Sequence, residues 1–236
     1  MTDMKQRVGR ILTPDQAGEA VYFDFECVTG DAPSVLGWAW LDPDSGEVRF
    51  EQRVVESGLW PAYPRRIPMT GRPNTRWQPA DLDIALAELA DLLESDDRLL
   101  VSWSKFDAEQ IRHCCADELL VERLESRYRN ALPTAKQWLG LCRPGVQLEK
   151  KRWGGKNSLS AYCGLHGFSV PKKYGENVAA KGIRAMRVAL KKSQHGSKLP
   201  SAVTEKWKAL IGHNYLDCRN ALYVVCFSAL DLENTM

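Results

Sequence analysis

Hydrophobic and polar positions alternate with a period of two at the start of the chain and shift to a helical period further on. Residues 21–28, VYFDFECV, put Val21, Phe23, Phe25 and Cys27 on one face of a strand and Tyr22, Asp24, Glu26 and Val28 on the other. The run stops at Thr29-Gly30-Asp31-Ala32-Pro33, a cluster of turn residues. Two more alternating runs, 34–41 and 47–55, flank Asp42-Pro43-Asp44-Ser45-Gly46 and read as a hairpin. Three successive strands are therefore expected to pair antiparallel. Residues 56–79 hold Pro61, Pro64, Pro68, Pro73 and Pro79 and read as a long irregular loop.

From Pro79 to Ser95 the apolar positions Leu82, Ala85, Leu86, Leu89, Leu92 and Leu93 recur at helical spacing. Residues 98–103, RLLVSW, read as a fourth strand, and 106–120, FDAEQIRHCCADELL, open a helix. RYRNAL (127–132) is strand-like, PTAKQWLGL (133–141) is a helix with Pro133 near its start, and SLSAYCGLHGF (158–168) is a short helix. A last helix spans about 202 to 230. This order predicts an α/β domain with a mixed sheet, three antiparallel strands followed by parallel ones, flanked by helices. No linker divides it, so residues 1–236 are read as one domain.

Composition narrows the class. A hydrophobic share of 44% and a charged share of 26% are those of a globular protein. No apolar run reaches membrane-spanning length and the first residues lack a signal-peptide centre, so a cytoplasmic protein without a membrane partner is expected. Seven cysteines without a C-x-x-C pair suggest neither a zinc site nor a disulfide framework, and most read as small buried thiols.

Charge changes the picture more. Residues 143–198 carry 13 Lys and Arg against two acids, a net +11, whereas residues 1–142 carry 16 basic and 24 acidic residues, a net −8. The basic stretch interleaves Trp153, Tyr162 and Tyr174 and contains Gly154-Gly155. That combination suits a polyanion partner, DNA or RNA, beside a cation-binding centre.

Three acidic sites are candidates for that centre. Asp24 and Glu26 share a strand face, as the wetted side of an edge strand or as a pair aimed at a cation. Asp107 follows the fourth strand in the first turn of a helix, where it either complements the helix dipole or serves a site at a strand end. His213 and Asp217 lie four apart on the last helix, as an exposed pair or as part of a site near the core, with Leu216, Ala221, Leu222, Val225 and Leu230 forming an apolar face nearby.

Taken in order, FDFECV, LLVSWSKFDAEQI and HNYLDCRNAL resemble the three motifs of the DEDD family of 3′–5′ exonucleases, with SLSAYCGLHGF similar to the short helix before the third motif. The resemblance covers Val21 to about Leu230. Its third motif is atypical: three residues separate His213 from Asp217, a spacing the family uses with tyrosine. Tyr215 turns to a different helix face. The resemblance implies a ribonuclease H-like fold and a metal-dependent 3′–5′ exonuclease acting on DNA or RNA. Asp24, Glu26, Asp107 and Asp217 would hold two Mg2+ or Mn2+ ions roughly 4 Å apart, and His213 would act as general base.

It also implies that the basic segment tracks a sugar-phosphate backbone through Lys150, Lys151, Arg152, Lys156, Lys172, Lys173, Lys181, Arg184, Lys191 and Lys192. Trp103 is a candidate to stack on a terminal base, while Phe25 reads as core from its face. The rival readings are a structure-selective ribonuclease H-like endonuclease, an inert nucleic-acid-binding module of the same fold, and an interaction protein whose acids are surface charges.

Overall fold

The computed structural model describes residues 10–62, 75–149, 156–175, 177–193 and 199–235, with the backbone alone at 75–77. Among these residues six strands form one mixed sheet in the order β4-β3-β2-β1-β5-β6. The strands are β1 (Val21–Glu26), β2 (Val35–Leu41), β3 (Val48–Val54), β4 (Thr75–Pro79), β5 (Leu100–Ser102) and β6 (Tyr128–Asn130). β1, β2 and β3 pair antiparallel as expected, while β5 runs parallel to β1, β6 to β5, and β4 to β3. β1 therefore lies inside the sheet, which removes the edge-strand reading of its two acids.

The helices are α1 (Pro14–Glu19), α2 (Leu82–Ser95), α3 (Lys105–Cys114), α4 (Glu118–Arg127), α5 (Leu132–Cys142), α6 (Leu159–Leu165), α7 (Val178–Lys192) and α8 (Ser201–Thr235). The alternation of β1 assigns its two faces to two layers. Val21, Phe23 and Phe25 pack with Leu86, Leu89 and Leu93 of α2, whereas Tyr22 packs with Ala221, Leu222 and Val225 of α8. Asp24 and Glu26, in phase with Tyr22, therefore face α8. A third cluster joins Ile183 and Met186 of α7 to Trp207, Leu210 and Ile211 of α8, over Val35 and Val54 at the sheet.

Several expectations are corrected. The loop 56–79 contains a 3-10 turn, Ser57–Ala62, and ends in edge strand β4, where Pro79 closes the strand. Pro64, Pro68 and Pro73 lie outside the described residues. The run 106–120 is two helices: Asp117 accepts hydrogen bonds from the Leu119 and Leu120 amides and starts α4. The basic segment holds the 15-residue α7, and α1 was not foreseen. Of the seven thiols only Cys163 and Cys218 are buried. Leu230 is exposed rather than part of the apolar face of α8.

One glycine is set by close approach. Gly37 interrupts the bulky run of β2 and lies in register between Asp24 on β1 and Gln52 on β3. A Cβ there would stand 2.0 Å from Asn214 Oδ1 and 3.1 Å from the Phe50 ring. Neither neighbour is a loose side-chain end, so Gly37→Ala is expected to destabilise the protein by about 1–3 kcal/mol, as overfilling does in cores. Urea unfolding checks this, and an unchanged midpoint would contradict the close approach.

Candidate active site at the end of the central strand

The acids converge because three segments end at the same place. On α8, His213 and Asp217 sit one turn apart and face β1. His213 Nε2 lies 3.8 Å from Glu26 Oε1 and 3.7 Å from Asp217 Oδ2. Asn214, the next residue on the helix, donates from Nδ2 to Asp24 Oδ2 at 2.9 Å and to the Asp24 carbonyl at 3.0 Å. Asp107 arrives from α3. Pairing between β1 and β5 stops after Val21 and Tyr22, so the amide of Phe25 is free of the ladder. That amide donates to Asp107 Oδ1 at 3.3 Å, and the Ser104 hydroxyl donates to Oδ2 at 3.2 Å.

The four carboxylates are buried, and the charge of each bears on others of the group. Burial raises the Asp24 pKa well above the carboxylate range, and the charges of Asp107 and Asp217 raise it further. Burial does the same to Glu26, with Asp24, Asp217 and Asp107 adding to it. Asp107 is pushed up to about 7 by burial, against the hydrogen bonds from Phe25 and Ser104. Asp217 is raised by burial and partly offset by His213. Cys218 lies beneath the group, its thiol donating to the Gly37 carbonyl at 3.3 Å, and burial followed by the Asp24 charge raises its pKa.

Such a group is costly unless a cation neutralises it. Glu26 Oε1 is buried without a hydrogen-bond partner, and so is His213 Nδ1. The donors are carboxylate oxygens, which suit Mg2+ or Mn2+. Among the described residues, however, no set of three or more His, Cys, Asp or Glu side chains is drawn together as a formed metal site. Asp24 is held by Asn214, and Asp107 by Phe25 and Ser104. The residues fit an oxygen-ligated ion in type and grouping.

No family model, curated protein or solved structure matches the chain. The functional reading therefore rests on the side chains themselves.

The other candidates fall into three groups. Lys156, Lys172, Lys173, Lys181, Arg184, Lys191 and Lys192 are exposed. On α7 the charged row opposes buried Ile183 and Met186, so it faces solvent. Arg187 turns to the other flank and binds Glu56 and Asp31, fixing α7 to the β1–β2 connection. The 3-10 turn Lys172–Tyr174 docks on α8 beside His213: a Cβ at Gly212 would lie 2.4 Å from the Tyr174 ring. Lys150, Lys151 and Arg152 lie outside the described residues, as do Trp153, Gly154 and Gly155.

Trp103 is the third case. Its indole N–H donates to the Asn157 carbonyl at 2.9 Å and its ring meets Tyr162 edge-on, so it seats α6 and its polar edge is already committed. Phe25 is core, as its face implied. Tyr215 packs edge-on against Phe50, away from the acids. Sequence reasoning missed Asn214, Gln52 and Ser104. The signal for the first two was Gly37, because a glycine inside a strand pattern marks close approach by another group.

Proposed function

We propose that the chain is a metal-dependent 3′–5′ exonuclease of ribonuclease H-like fold that hydrolyses phosphodiester bonds of DNA or RNA. The observation that carries this is the meeting of Asp24, Glu26, Asp107 and Asp217, from three distant segments, at one end of the sheet. Asp24, Glu26, Asp107 and Asp217 would hold two Mg2+ or Mn2+ ions, which supply charge neutralisation at the phosphate and an activated water.

The protein's own groups supply the rest. His213 Nε2 faces the acids and accepts the proton of the attacking water, while Asp217 and Glu26 stabilise the imidazolium that results. Lys172 and Lys173 stand on the turn docked beside His213, and the exposed cations of α7 extend the positive surface that a phosphate backbone follows.

End-labelled single- and double-stranded DNA and RNA, incubated with Mn2+, Mg2+ or chelator, test the reading. A metal-dependent ladder growing from the 3′ end is expected. Cuts within circular substrates would instead mark an endonuclease. His213→Ala is expected to slow the ladder about 100-fold to 10,000-fold, the usual worth of a general base, with Mn2+ binding retained. A rate within threefold of the wild type would remove His213 from the chemistry.

A second reading, the inert nucleic-acid-binding module, is favoured by the atypical spacing of His213 before Asp217. Oligonucleotide binding without cleavage under any of these conditions would support it.

A further inference from the structure

Asp24, Gly37 and Gln52 form a row across three neighbouring strands, since Gly37 is in register with both of the others. Residues so paired share a sheet face. With no side chain at the middle position, the row has a gap between a carboxylate and an amide. Asn214 of α8 fills it: its relative exposure is 0%, and Gln52 is equally buried.

The hydrogen bonds of this gap have a direction. Gln52 Nε2 lies 2.6 Å from Asn214 Oδ1 and 3.4 Å from the carbonyl of Ile211. The Ile211 carbonyl can only accept, which requires the Gln52 amide nitrogen on that side, because its oxygen would meet a lone pair. Asn214 Oδ1 must then accept, and its Nδ2 is turned towards β1. There it meets the Asp24 carbonyl at 3.0 Å and Oδ2 at 2.9 Å. One nitrogen holding both the backbone and the side chain of the same residue fixes the angle at which that carboxylate leaves the strand.

We propose that Asn214 is a positioning residue that locks the Asp24 carboxylate in its ligating orientation, and that Gln52, which does not touch Asp24, sets the sense of that lock. The proposal rests on the reading of Asp24 as a metal ligand. Groups that orient ligands in this way typically change metal affinity about 10-fold to 100-fold when removed.

The experiment titrates full-length protein with Mn2+, following free Mn2+ by electron paramagnetic resonance, in wild type, Asn214→Ala and Gln52→Glu. Circular dichroism establishes that each variant is folded. Asn214→Ala deletes the donor without overfilling the gap. Gln52→Glu keeps Asn214 but offers it only an acceptor, which draws Nδ2 away from Asp24 and presents Oδ1 to the carboxylate instead. Both variants are expected to bind Mn2+ at least tenfold more weakly than wild type. In the cleavage assay kcat is expected to fall while the KM for oligonucleotide stays within twofold, a split that general loosening of the fold would not give.

If folded Asn214→Ala binds Mn2+ within twofold of wild type, the positioning role is overturned and the metal reading stands. Should Asn214→Ala fail to fold, Gln52→Glu alone decides by the same criterion. If neither variant folds, Mn2+ titration of Gln52→Met, which removes the donor at similar volume, decides in the same way. A wild-type protein that binds no Mn2+ overturns both this proposal and the metal reading.

Discussion

Asp24→Asn is expected to lose at least about a thousandfold in cleavage rate and, in chelator, to melt at a higher temperature than the wild type. The two effects share one cause. At Asp24 burial, then Asp107 and Asp217, oppose the charge. An amide at position 24 removes one of four mutually repelling carboxylates while its oxygen can still accept from Asn214 Nδ2. Relief of one pKa unit corresponds to about 1.4 kcal/mol, or roughly 3–5 °C for a chain of this size. Cleavage falls because groups that act as a catalytic unit fail together when one is removed. Single-turnover cleavage and melting in chelator measure the two sides. Activity within tenfold of the wild type would discard Asp24 as a ligand, and a lowered melting temperature would discard the electrostatic account.

The second large effect is a reversal of the usual acid sensitivity. In chelator, stability is expected to fall as pH rises from about 4 to above 7. The native protein binds protons at Asp107 with a pKa of about 7, whereas the unfolded chain releases them in the ordinary carboxylate range near 3.8. Between those values the native state holds more protons, so each rise in pH favours unfolding. Asp107 is 5% exposed, so little is lost to solvent screening. Its contribution alone is on the order of 4 kcal/mol across the window, about 10 °C. The raised Asp24 and Glu26 act in the same direction. Saturating Mn2+ is expected to reverse the slope, because the ion binds the deprotonated group. Melting curves at pH 5 and pH 8, with chelator and with Mn2+, check both arms. A chelator curve that is flat between those pH values would show that the acids do not share a buried site.

What the sequence made legible follows from period. Alternation in β1 gave the correct face to Phe23 and Phe25 and set Asp24 and Glu26 together on the other, because a strand has only two sides. Asp107 was readable from its place one turn past an apolar run. The helix break at Cys115 to Asp117 was not, since every residue from Phe106 to Leu120 tolerates a helix and only the two bonds accepted by Asp117 reveal the new start. Strand β4 was hidden for a different reason: its pairing with β3 is made between distant segments, and prolines around it argue locally for a loop. The apolar positions of α7 escaped notice beneath its charge. Asn214 could not be found by type at all, as its role depends on a missing side chain 177 positions earlier.

α8 runs unbroken from Ser201 to Thr235 and contributes Asp217, His213 and Asn214 together. A ribosome adding about 5–20 residues per second needs roughly 10–40 s to travel from Asp24 to Asp217. Throughout that interval the nascent chain has β1 but neither the helix that covers it nor the third acidic segment. Its two early carboxylates stay hydrated, and the buried acidic group is assembled in a single late event once the covering helix clears the exit tunnel.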